Sequence, residues 1–173
     1  MKRLSISAGV AVLLTGAALA QTDAPLAYTA DGKMIFPKDY RSGVFLSSGF
    51  DMAYVEGTSQ AHIFDNVFVN REAYDGFLKA GVWPDKTVLV LEVRDAGSDP
   101  FVKRGQFQSS APPRTEAHVK DAAKGGWAFY VFGSGNAPGA LMPKTANCYS
   151  CHEQNAATDT AFTQFYPTLN PAK

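Results

Sequence analysis

The sequence is poor in the residues that usually announce a function. Its 173 residues include 2 cysteines and 3 histidines. The 16 basic residues are balanced by 16 acidic ones, so there is no cationic surplus of the kind that neutralises phosphates. Nothing therefore points to nucleic acid. With 15 Gly and 10 Pro the chain is neither collagen-like nor low in complexity, and 12% aromatic residues exclude a disordered class. No internal repeat and no Pro/Gly/Ser-rich linker divides it. Past residue 20 no apolar run approaches the roughly 20 residues that a membrane span needs.

The first 20 residues stand apart. Lys2 and Arg3 form a basic start, Ala8 to Leu14 (AGVAVLL) an apolar middle, and Ala18-Leu19-Ala20 a small-x-small ending. That order predicts an export signal cleaved after Ala20. It leaves a single domain over residues 21–173, placed in a periplasm.

The remaining pattern is mostly one of strands. Val44-Phe45-Leu46, residues 62–69 (HIFDNVFV), residues 87–95 (TVLVLEVRD) and residues 127–132 (WAFYVF) are rich in β-branched and aromatic residues. The last is apolar on both faces and suits a central strand. A helix is expected over residues 71–80, capped by Asn70 and ended by Gly81. Residues 96–117, with Pro112-Pro113, read as loop. Residues 155–166 read as a helix whose stripe is Ala161, Phe162, Phe165 and Tyr166. The expected fold class is α+β: sheet-dominated, mostly antiparallel, with a few short helices and a C-terminal cysteine–histidine motif.

That motif is Cys148-Tyr149-Ser150-Cys151-His152. A C-x-x-C-H run is the attachment signature of haem c, with two thiols for the thioethers and an adjacent imidazole as proximal iron ligand. A disulfide between Cys148 and Cys151 would close a very small, strained loop. A thioredoxin-like dithiol belongs after an early strand, not 22 residues from the end. A zinc site lacks a fourth ligand at the usual spacing from His62 or His118. Thr145 or Asn147 is placed to start the helix carrying the motif. One covalently attached haem c is the expected cofactor, and export suits it.

No methionine follows His152, Met142 is too close to it to reach the opposite side of the ring, and Met34 and Met52 fall in turn-rich stretches. His62 and His118 read as surface or supporting histidines. The sixth position of the iron is thus expected to be open, which favours small-ligand binding over electron transfer alone.

With these residues on the page, the chain resembles the cytochrome P-460 family and, within it, the β-type cytochromes c′. The similar segments are ADGKMIFPKDYRSGVFLSSG (residues 30–49), NVFVNREAYDGFLKAG (66–81), GGWAFYVF (125–132) and CYSCHEQNAATDTAFTQFYPTL (148–169). The resemblance implies a small antiparallel sheet, a five-coordinate haem c and a homodimer. In the hydroxylamine-oxidising branch a strand lysine is cross-linked to the haem, and Leu91 stands at that position here. That branch's distal carboxylate is matched by Glu116, which is otherwise simply a loop glutamate. A distal arginine of that branch is replaced by Asp65. In the β-type cytochromes c′ apolar side chains cap the distal pocket, and Phe64 and Leu91 are the candidates, unless both are plain core. Since neighbouring strand residues face opposite ways, only one of Phe64 and Asp65 can face the haem. The resemblance thus implies nitric oxide or carbon monoxide as ligand, with a periplasmic electron-transfer partner possible. The alternatives are hydroxylamine oxidation with Glu116 as catalytic proton acceptor, and simple electron transfer.

Overall fold

A computed structural model describes residues 26–53, 62–133 and 136–170. The proposed export signal lies outside the described residues. Seven antiparallel strands form the body: β1 (Val44–Phe50), β2 (Ile63–Val69), β3 (Val88–Gly97), β4 (Phe107–Gln108), β5 (Arg114–Asp121), β6 (Gly126–Phe132) and β7 (Ala140–Leu141). Their spatial order is β1-β2-β3-β5-β6-β7, with β4 pairing on β3. Two α-helices, α1 (Arg71–Ala80) and α2 (Asn147–Asn155), complete the regular structure of the described residues. The α+β, sheet-dominated expectation holds.

Period-two alternation gives this sheet two different faces. One carries Ala117, Val119, Tyr130 and Phe132, packed with Met34 and the N-terminal segment. The other carries Leu46, Val69 and Leu89 against Ala73 and Trp83 from the α1 region and Ala161, Tyr166 and Leu169 from the C-terminal segment. A bulge in β1 between Phe45 and Ser47 sets which residues of that strand share a face with β2. On the first face Glu92 is buried and accepts from Tyr40, Arg41, Arg94 and Asn66. Asn66 in turn exchanges hydrogen bonds with Gln108, which ties β4 to the sheet.

Two expectations need correction and one needs refinement. Residues 96–117 are mostly loop, as expected, but β3 runs on to Gly97, Phe107–Gln108 forms β4 and Arg114 opens β5. The β5 sequence RTEAHVKD hides its strand character, since only Ala117 and Val119 contribute apolar core there. Residues 155–166 are not one helix. α2 ends at Asn155, and 3₁₀ turns follow at Thr163–Phe165 and Pro167–Leu169. Asp159 and Thr160 both adopt positive φ, which an α-helix cannot accommodate. The apolar stripe still serves the core, since Ala161 and Tyr166 are buried. Asn70 sits at the N-terminus of α1 but makes no side-chain cap. Its amide oxygen instead accepts from the Val88 backbone N–H at 2.9 Å, tying α1 to the start of β3. Gly81 ends the helix as expected, in the left-handed region at φ 72°.

Candidate functional site

Three residues apart on α2, Cys148 and Cys151 fall on roughly one side of the helix, and both thiols are free. Tyr149 anchors the helix to the sheet. Its hydroxyl accepts from the Phe129 backbone N–H at 3.2 Å and donates to the Met142 carbonyl at 3.3 Å. Its ring meets Phe129 edge-on at 4.8 Å. α2 begins at Asn147, one of the two starts expected, but without a side-chain cap.

His152 is held on several sides. Its Nδ1 lies 2.7 Å from the Thr160 carbonyl oxygen, which can only accept, so Nδ1 carries the proton and Nε2 keeps its lone pair. Phe129 at 4.6 Å, Phe162 at 4.4 Å and His118 at 4.9 Å surround the ring. Burial pulls its pKa below the ordinary histidine value, although the bond to Thr160 opposes this. The imidazole is therefore kept neutral, the form that ligates a metal.

The sheet face beside α2 encloses a cavity of about 250 Å³ into which Cys151 and His152 open. Leu91, Asp65 and Glu116, singled out from the sequence, line it as well. The register explains the grouping: Leu91 lies opposite Val67 on one side and Glu116 on the other, while Leu89 lies opposite His118. Phe64 does not join them. It follows strand alternation onto the other face, where its ring packs on Phe50 at 4.9 Å, so of the Phe64–Asp65 pair it is Asp65 that lines the cavity. A larger cavity of about 390 Å³ lies across the sheet beside Met34 and Phe68, but no thiol or imidazole lines it.

The carboxyl groups in the smaller cavity are perturbed. Burial raises the Asp65 pKa and the charge of Glu116 adds to it, while Arg114 opposes. Glu116 is on a strand rather than in a loop. Its side chain reaches water through the mouth of the cavity, yet the walls remove enough solvent to raise its pKa against the pull of Arg114.

His118 proves to be a buried histidine, stacked on Phe129 at 4.1 Å with its Nδ1 unpartnered. Burial, then the neighbouring His152 and Lys144, hold its pKa well below the ordinary value. Its placement was not legible because a polar strand gives no hydrophobic period. Met52 also lines the cavity, lying against Gly49. His62 is exposed and pairs with Asp51, Met34 is buried on the far face, and Met142 does not line the cavity.

Two thiols, one neutral imidazole with a free Nε2 and a largely apolar cavity form a donor set suited to haem. Among the described residues no three His, Cys, Asp or Glu side chains gather as a site for a bare metal ion. A search of curated proteins finds no match. The family model for cytochrome P460 matches residues 37–163, spanning every strand and α2. The chain belongs to the cytochrome P460 family, and is a haem protein of that family.

Proposed function

We propose that the protein is an exported, monohaem c-type cytochrome of the cytochrome c′-β kind that takes up nitric oxide or carbon monoxide. Cys148 and Cys151 would hold the haem by thioethers and His152 would ligate its iron through Nε2. When bound, the group supplies an iron with one coordination position left for a small ligand. The chain's own part is to keep His152 neutral and oriented, and to wall the cavity with side chains such as Leu91 and Val67 that offer no hydrogen bond. That apolar part of the wall, with Asp65 and Glu116 among the polar exceptions, favours nitric oxide and carbon monoxide, which need no distal donor, over dioxygen.

The observation that carries this reading is Leu91. It lines the same cavity as His152, and no lysine is among the cavity-lining residues. A leucine cannot form the ring cross-link that the hydroxylamine-oxidising branch uses. Periplasmic placement follows from Lys2, Arg3 and the Ala18-Leu19-Ala20 ending, and a homodimer from the family resemblance.

A visible spectrum of the purified protein, with and without nitric oxide, tests the reading. The expected result is ordinary high-spin ferrous haem c that converts on adding the gas. A strongly red-shifted Soret-region band, or haem recovered on a lysine-bearing peptide outside Cys148–His152, would defeat it.

Two observations support other readings. Asp65 and Glu116, with raised pKa values in the same cavity, are placed to accept protons during hydroxylamine oxidation. Turnover of hydroxylamine with an artificial acceptor would establish that activity. Met52 is the one methionine lining the cavity, which suits an electron carrier with a thioether sixth ligand. Sharp low-spin bands that vanish in Met52→Ala would establish that one. The proposed reading expects neither result.

A further inference from the structure

The segment after α2 contains an unusual turn. Asp159 and Thr160 are consecutive non-glycine residues at φ 53° and 63°, and Thr160 is β-branched. Asp tolerates the left-handed region, but a β-branched residue there is strained and persists where surrounding contacts over-determine it. Those contacts are visible. Thr158 and Ala161 bridge each other, and Ala161 is buried in the core. The Asp159 carboxylate accepts from Lys120 Nζ at 2.5 Å. Lys120 projects from β5, and its ammonium also donates to the Trp83 carbonyl at 2.7 Å and lies over the Trp127 ring. From the same strand, His118 Nε2 lies 3.4 Å from Thr160 Oγ1.

The product of this turn is the direction of one carbonyl group, that of Thr160, which accepts from His152 Nδ1. Partners on the non-ligating nitrogen of a histidine ligand fix its orientation and raise its donor strength. We propose that Lys120, Asp159 and Thr160 are positioning residues for the proximal histidine, with the Lys120–Asp159 pair pinning the strained turn so that Thr160 holds His152 in a strongly donating state. This rests on the reading that His152 ligates the iron. Lys120 thereby acts on the iron through three intervening residues without touching the cavity.

The test uses the haem-loaded protein and reads the ferrous iron–imidazole stretch by resonance Raman, together with the reduction potential. Lys120→Met keeps the aliphatic stem over Trp127 but removes the ammonium. The expected result is a lower stretching frequency and a higher potential than in the parent, with Lys120→Arg restoring both towards parent values. Thr160→Gly keeps the carbonyl and relieves the left-handed strain, but widens the conformations open to the backbone, so the carbonyl direction is less sharply defined. It is expected to lower and broaden the band without lowering the thermal midpoint, an outcome that a purely structural role for the turn does not produce. Should Lys120→Met not fold, Asp159→Asn and Thr160→Gly carry the same expectation. An unchanged band and potential in folded, haem-loaded variants would overturn the proposal. A parent protein without any iron–imidazole band would overturn the assignment of His152 as ligand, and this proposal with it.

Discussion

Cys148 and Cys151 make the sharpest prediction at the scale of single residues. They are the only thiols in the chain, so each single Ala variant should keep haem attached through one thioether, and the double variant should release it on denaturing gels. Haem retained by the denatured double variant would contradict attachment at this motif. Leu91 makes a second. Its side chain is partly buried in the cavity wall. Leu91→Ala should therefore cost less than the roughly 2–5 kcal/mol of a fully buried leucine, about 1–2 kcal/mol in a urea melt. It should also enlarge the cavity and speed carbon monoxide association, as flash photolysis would show. These residues were legible because each belongs to a short, chemically specific pattern or to a clean strand. His118 was not. Its meaning comes from Phe129 and His152, which meet it only when β5, β6 and α2 pack together.

At the scale of elements, β2, α1 and β3 were readable to within a residue or two, because β-branched runs and a Gly81 stop are local signals. β5 escaped notice because its two faces meet different surroundings: Ala117 and Val119 enter the core, while Glu116 and His118 line the cavity. The C-terminal segment misled for the opposite reason. Its helical spacing of apolar residues is real, but the Asp159–Thr160 turn breaks the helix that the spacing suggests. β3 carries a stability prediction. Glu92 is buried on it beside Arg41 and Arg94, and despite the opposing effect of burial its hydrogen bonds hold its pKa down to about 2, against an ordinary 4.5. The fold thus favours the ionised form. That stabilisation is present in full above about pH 5, and is lost as pH falls through 4.5 towards 2. It amounts to about 3 kcal/mol. Glu92→Gln should flatten the acid limb of a pH-stability curve. It should also cost about 3 kcal/mol near neutrality by leaving Arg94 without its counter-ion.

Across the whole molecule the sheet separates two tasks. One face closes on the N-terminal segment and the Glu92 network, and the other holds the cavity, α1 and the C-terminal turns. Leu169, buried in the core of the second face, extends that core well beyond the haem motif. Leu169→Ala should cost about 2–5 kcal/mol in a chemical melt while leaving both thioethers intact, since it touches stability rather than attachment.

The strand that opens the sheet is met by residues near the other end of the described chain. Thr168 donates to the Leu46 carbonyl across a separation of 122 residues, and its own carbonyl accepts from the Tyr74 hydroxyl. Such contacts close late, because a long loop must first be drawn together. The Thr160 carbonyl that orients His152 belongs to the same late-closing segment as Ala161, Tyr166 and Leu169. The imidazole therefore takes its final direction only when the two ends of the described chain have met.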